Sequence, residues 1–238
     1  YEKVVINITK YPSLVKSGGT LCVKNPEAEV LEVIGFINEK GVDTLSVVKE
    51  NDIRDDFPAD VKREASEISL KLEEDEINRR TDFRDKIIFT IDGEDAKDLD
   101  DSISIEKTSN GYELGVHIAD VSHYVKENSE IDKEAFLRGT SIYLVERVIP
   151  MLPKILSNNL CSLNPNEDKL TLSCIMNFDN DGNLLNSKIV ESVINSNARL
   201  NYTEVSNYIN GIDTTFEERH QRRVNKIINY ERGTYNEL

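Results

Sequence analysis

Between Ile87 and Asp101 the chain gathers six carboxylates around a single lysine, a local charge of −5, and sets them between apolar runs. Ile87 to Ile91 precedes the loop and Ser102 to Glu106 follows it, and both read as strands. An ordinary surface loop scatters its acids among polar flanks. Here the flanks are core-like, so Asp92, Asp98, Asp100 and Asp101 are expected at partial burial. Desolvation and mutual repulsion then raise carboxyl pKa values unless a cation offsets them. Oxygen donors without His or Cys favour magnesium or manganese over zinc. On spacing alone two readings stand, a divalent-cation site and a solvated acidic loop.

The surrounding pattern is mixed α and β. In the first fifty residues Val4 to Ile8, Val30 to Ile37 and Leu45 to Val48 read as strands, with a loop at Ser17 to Thr20 and a turn at Gly41. From Pro58, the apolar residues Val61, Ala65, Ile68 and Leu72 share one helical face. The run Glu73 to Glu76 reads as a solvated face closing a connecting helix and linker, and Arg79, Arg80, Arg84 and Lys86 as a basic cluster that could meet phosphate or pair with those acids. Asn110-Gly111 signals a hairpin into the alternating segment Tyr112 to Ile118. Ile131 to Arg138 reads as an amphipathic helix, Leu170 to Phe178 and Leu184 to Val190 as strands, and Thr203 to Ile209 and Glu217 to Tyr230 as helices.

Other chemistry is thinly supported. The net charge of −15 argues against a phosphate-binding surface, although a third of it sits in the aspartate loop. Asn177 to Gly182 has the glycine of a calcium loop but Lys188 where its closing Glu belongs, so a hairpin turn reads better. His117 and His123 read as packing residues, with neighbouring Asp120 leaving room for a site role. Cys161 and Cys174 read as core thiols rather than nucleophiles, and Tyr143 as a strand-packing aromatic or a base-stacking platform. Three cysteines cannot all pair, which suits a reducing compartment, and no apolar run is long enough to span a bilayer. Tyr1 opens the chain without an initiator Met or a secretory pattern, which reads as a soluble fragment or processed product.

Five ordered blocks carry a resemblance: Thr90 to Asp101, Val116 to Tyr124, Arg138 to Leu144, Val148 to Pro153 and Leu156 to Pro165. They resemble the ribonuclease II/ribonuclease R (RNB) family, and Gly93 to Ala96 resembles the ribonuclease R branch. The resemblance implies an α+β chain in three parts. Residues 1–57 would be part of a second cold-shock domain with an OB-type barrel, 58–84 a connecting helix and linker, and 85–238 the N-terminal part of the catalytic domain. It further implies magnesium-dependent 3′-to-5′ hydrolysis of single-stranded RNA to nucleoside 5′-monophosphates in the cytoplasm. Asp92, Asp98, Asp100 and Asp101 match the metal-site aspartates, with Asp100 the most essential to catalysis, and Tyr143 matches an aromatic that stacks near the 3′-terminal nucleotide. A monomer without an organic cofactor is expected. This chain alone is expected to be inactive, and a catalytically silent RNA-binding or scaffold piece is the alternative.

Overall fold

The computed structural model of the protein describes residues 1–17 and 20–211. It divides into two compact units, Tyr1–Phe57 with Arg138–Met151, and Pro58–Leu137 with the chain from Leu152 onward. In the first, β1 (Glu2–Lys10) pairs antiparallel with β4 (Glu27–Phe36), and β2 (Ser13–Ser17) with β3 (Thr20–Lys24). Both pairs are rich in β-branched residues, which suit a pleated surface. Leu45 to Val48 is not the expected strand but part of α1 (Val42–Glu50). Val42 and Val48 are its buried positions and Leu45 is half-buried, so the spacing is helical, and four residues were too few to show it. Gly41, at φ +86, makes the left-handed entry.

In the second unit α2 (Ala59–Glu67) buries Val61 and Ala65 but stops short of the expected Leu72, because Ile68 turns extended. The acidic run is largely exposed, as a solvated face should be, but it does not close α2. It opens α3 (Glu74–Arg79), whose Glu76 accepts hydrogen bonds from Arg79 and Arg80. There follow β5 (Thr81–Asp82), β6 (Phe89–Asp92), β7 (Asp101–Thr108), β8 (Gly111–Ala119), α4 (Val121–Tyr124) and α5 (Glu130–Arg138). The short antiparallel pair β9 (Ile142–Tyr143) and β10 (Val148–Ile149) belongs to the first unit. The Arg138 guanidinium fastens this excursion, lying 3.8 Å from the Phe57 ring centroid and donating to the carbonyls of Asp56 and Pro150. A π-helical turn (Leu156–Leu160), β11 (Asp168–Asp179), β12 (Leu184–Asn195), β13 (Ala198–Asn201) and α6 (Tyr202–Ile209) complete the described chain. The expected helix at Glu217 to Tyr230 lies outside the described residues. No helix among them is long and apolar enough to cross a membrane.

Seven strands form one sheet in the order β13-β6-β7-β8-β11-β12-β5. The Asn110-Gly111 turn joins β7 to β8 as expected, and an added Cβ on Gly111 would fall 1.9 Å from the Phe178 carbonyl oxygen. On one side of β6, Phe89 packs with Ala198, Leu200, Ile87, Ile91, Ile103 and Val205 of α6. The other side carries a buried polar belt. His117 bonds through Nε2 to Ser104 Oγ at 3.0 Å and through Nδ1 to Ser173 Oγ at 2.6 Å. Ser173 continues to Ser192, and Ser192 to Thr171.

His117 is a packing residue whose ring is pushed down to about 4, by burial first and by Lys86 second. Because the folded pKa lies below the unfolded value near 6.5, the unfolded chain takes up the proton first as pH falls. The stability linked to this ring is therefore complete above about pH 6.5 and drains away towards pH 4. By pH 5 the loss should reach about 2 kcal/mol. Urea unfolding at pH 7 and pH 5 should show a drop of that size relative to His117→Gln, which cannot titrate; an equal drop in the variant would refute the assignment.

Candidate active site

β6 delivers Asp92, the loop 93–100 carries Asp98 and Asp100, and β7 opens on Asp101. The loop is held at its centre by Leu99, which is 1% exposed. Its N–H donates to Ser162 Oγ at 3.1 Å, and its carbonyl accepts from Leu163 N–H at 2.8 Å. The Ser162 hydroxyl donates in turn to the Lys97 carbonyl, and Ala119 N–H donates to the Asp100 carbonyl. At the other end Arg199 of β13 donates to the carbonyls of Gly93 and Glu94, at 3.1 and 2.6 Å. Burying one leucine and tying the backbone around it leaves the carboxylates on either side no freedom to disperse.

Crowding is visible in their electrostatics. The Asp100 residue as a whole is exposed, yet protein atoms crowd its carboxyl. Desolvation, followed by repulsion from Asp98, Asp101 and Asp92, pushes it up to about 6. Asp92 is also raised, by desolvation first and Asp101 next, with the Thr90 hydroxyl and Arg199 pulling the other way. Its buried Oδ2 makes no well-formed hydrogen bond within the protein. Among the described residues no three His, Cys, Asp or Glu side chains close to the spacing of a formed metal centre. The four aspartates are gathered closely enough to repel one another. A hard divalent cation fits what they present: oxygen donors, a buried Asp92 Oδ2 without a well-formed hydrogen bond, and mutual repulsion.

The remaining candidates sort by partner. Tyr143, on β9, is 65% exposed and belongs to the first unit, whereas the aspartates belong to the second. The basic cluster is paired with carboxylates, mostly not those of the neighbouring acidic run. Arg79 meets Glu76 and Glu191, and Arg80 meets Glu76 and Asp120. Arg84 meets Asp82 and Asp168, and Lys86 meets Glu106 and Glu113. Asp120 is committed to Arg80, Ser122 and the His123 N–H. Burial pushes the Cys161 thiol up to about 12, so it is no nucleophile near neutrality. The Asp179 carboxylate is taken up by the N–H groups of Asp181 and Asn183 inside the β11–β12 turn, where Gly182 has φ +83. Sequence reading missed Arg199 and the role of Ser162. Each lies more than sixty residues from the atoms it holds, and no local pattern points to either.

An acidic strand–loop–strand site in a large mixed sheet, accompanied by a small β-rich unit, defines a class that comparison makes specific. The RNB domain profile matches residues 80–234 and the cold shock domain profile residues 2–58. The chain belongs to the RNB family. Ribonuclease R of Thermotoga maritima is 48% identical over 211 residues, covering 87% of this chain and 29% of that protein. The chain thus spans under a third of that relative's length. Mycoplasma genitalium RNase R, solved in complex with double-stranded RNA, superposes with a TM-score of 0.79 at 32% identity, over 91% of this chain and 37% of that one. Yeast Ssd1, a pseudonuclease, shares the fold at a TM-score of 0.70 and 21% identity, over 90% of this chain and 26% of that one.

Proposed function

We propose that the chain carries the aspartate half of a magnesium-dependent 3′-to-5′ exoribonuclease that hydrolyses single-stranded RNA to nucleoside 5′-monophosphates. The observation that carries this reading is the set of four aspartates around buried Leu99, with the Asp100 carboxyl pushed up to about 6. Asp92, Asp98, Asp100 and Asp101 would hold Mg2+ or Mn2+. The ion supplies Lewis acidity towards the scissile phosphate and neutralises charge there, so no side-chain nucleophile is needed. The chain's own part is positional. Leu99, Ser162 and Arg199 fix the loop so that the carboxylates stay in place, and Asp100 orients the attacking water through a carboxylate oxygen. Tyr143 offers an exposed ring for stacking on a base near the 3′ end, and the cold-shock unit guides the strand. A cytoplasmic monomer without an organic cofactor belongs to the same reading.

A catalytically silent RNA-binding piece is the second reading, favoured by one fact: the same fold occurs in a protein described as a pseudonuclease. Labelled RNA incubated with the full-length parent separates the two. Hydrolysis should stop in excess chelator and return on adding magnesium, and full activity in chelator would defeat the cation assignment. The present chain should be inactive and bind RNA weakly, because its net charge of −15 opposes phosphate. Fluorescence anisotropy of a labelled single strand should give a Kd of about 10 µM or weaker at physiological salt, weaker still in chelator. Tight binding independent of magnesium would contradict this account.

A further inference from the structure

The polar belt on one side of the sheet is paired at Ser104 of β7, His117 of β8, Thr171 and Ser173 of β11 and Ser192 of β12, each of which hydrogen-bonds within it. At its aspartate end the pattern breaks. Thr90 and Ser102 are 0% and 1% exposed, and neither hydroxyl, nor Asp92 Oδ2, makes a well-formed hydrogen bond within the protein, although the Thr90 hydroxyl stands near enough to the Asp92 carboxyl to hold it down. These three atoms belong together. Phe89 pairs antiparallel with Ile103, so Thr90 and Ser102, the next residues along each strand, flank that pair and face the other side of the sheet. Two-residue periodicity puts Asp92 on the same side as Thr90, while Phe89, Ile91 and Ile103 pack on the opposite side. Three buried polar atoms without a well-formed hydrogen bond on one patch are costly, and the fold satisfies every other hydroxyl of the belt.

We propose that Thr90 Oγ1, Ser102 Oγ and Asp92 Oδ2 together bind one buried water, and that through it Thr90 and Ser102 act as positioning residues for Asp92. The patch is polar and offers three partners, which is what an internal water requires. A carboxylate steered from behind presents its outer oxygen in one orientation, the support that ligating carboxylates generally need. The inference deepens the proposed cation site, and only its second readout rests on that reading.

The first readout is a crystal structure of this chain grown in chelator at about 1.5 Å. A water within hydrogen-bond distance of all three atoms is expected, and a dry space there would overturn the proposal. The second is Mn2+ affinity, followed by electron paramagnetic resonance of the free ion. Thr90→Val and Ser102→Ala should each weaken binding about tenfold, the double variant little more, and Thr90→Ser hardly at all. Thermal midpoints in chelator should move little, since each change removes one hydrogen bond to the water together with the buried hydroxyl that needed it. Affinity unchanged in both single variants, or lost only in step with the midpoint, would overturn the positioning role. An unaltered chain that binds no Mn2+ would defeat the cation reading and leave the water to the crystallographic result.

Discussion

Asp100→Asn in the full-length parent should leave RNA binding close to its original strength while hydrolysis falls by on the order of 10³-fold or more. The change removes one charge at nearly constant shape, so it spares packing: the residue is exposed, and its backbone carbonyl, which accepts from Ala119 N–H, is untouched. The same substitution makes an opposite prediction for stability. Asp100 titrates higher folded, at about 6, than the ordinary carboxylate near 3.8. Ionising it therefore costs the fold nothing below about pH 3.8 and the full penalty above about pH 6. At pH 7 in chelator the variant should be more stable, by about 1 kcal/mol once solvent screening of an exposed carboxyl is allowed for. That corresponds to a Tm increase of about 2–4 °C, fading towards pH 4. Quench-flow hydrolysis, anisotropy and thermal melts read the three quantities. A rate within tenfold of the unaltered enzyme would move the essential chemistry to another residue.

Loss of activity with gain of stability at one position is what a strained functional site should show, and the strain explains which features could be read from the sequence. The aspartates were legible because they are contiguous, and because a charge of −5 between two strands has few structural explanations. The Asn110-Gly111 hairpin was legible because a two-residue turn encodes its own geometry. What failed to show was anything settled by distant partners. β13 pairs in parallel with β6 across more than a hundred residues, and only that pairing brings Arg199 to Gly93 and Glu94. Thr90 and Ser102 look like ordinary strand residues until the pairing of Phe89 with Ile103 puts both on the side of the sheet that Asp92 shares. Leu45 to Val48 was misread because four residues fit either period, and burial of Val42 and Val48 decided for the helix. The return of Arg138–Met151 to the first unit is fastened by Arg138 on Phe57 and the Asp56 carbonyl and by the Arg147–Asp55 ion pair, and a sequence pattern carries no trace of either.

Asp120→Ala should destabilise the chain by about 3–5 kcal/mol, more than any other single change considered, because it strands a buried cation. The Arg80 and Asp120 side chains are 1% and 3% exposed, with Nη2 and Oδ2 2.6 Å apart. Arg80 also donates to Glu76 at 2.6 Å and to the Thr171 carbonyl at 3.3 Å, so its fork is nearly filled. Burial by itself would raise the Asp120 carboxyl, but hydrogen bonds from Ser122 and Arg80 outweigh it and hold the group below the usual range. Removing the carboxylate leaves Glu76 alone against the guanidinium and takes away the acceptor for Ser122 and for the first turn of α4. The midpoint of thermal unfolding should fall by about 10 °C or more. Pairing the change with Arg80→Met should recover much of the loss, since an apolar pair of similar size avoids desolvating either charge. A small loss in the single variant would mean that Glu76 alone satisfies Arg80. The position matters to the site because the preceding residue, Ala119, donates its N–H to the Asp100 carbonyl, and Asp120 N–H anchors that stretch to Leu170. Hydrogen exchange at Ala119 should therefore quicken in Asp120→Ala and return with the second substitution, and unchanged protection there would uncouple the buried pair from the aspartate loop.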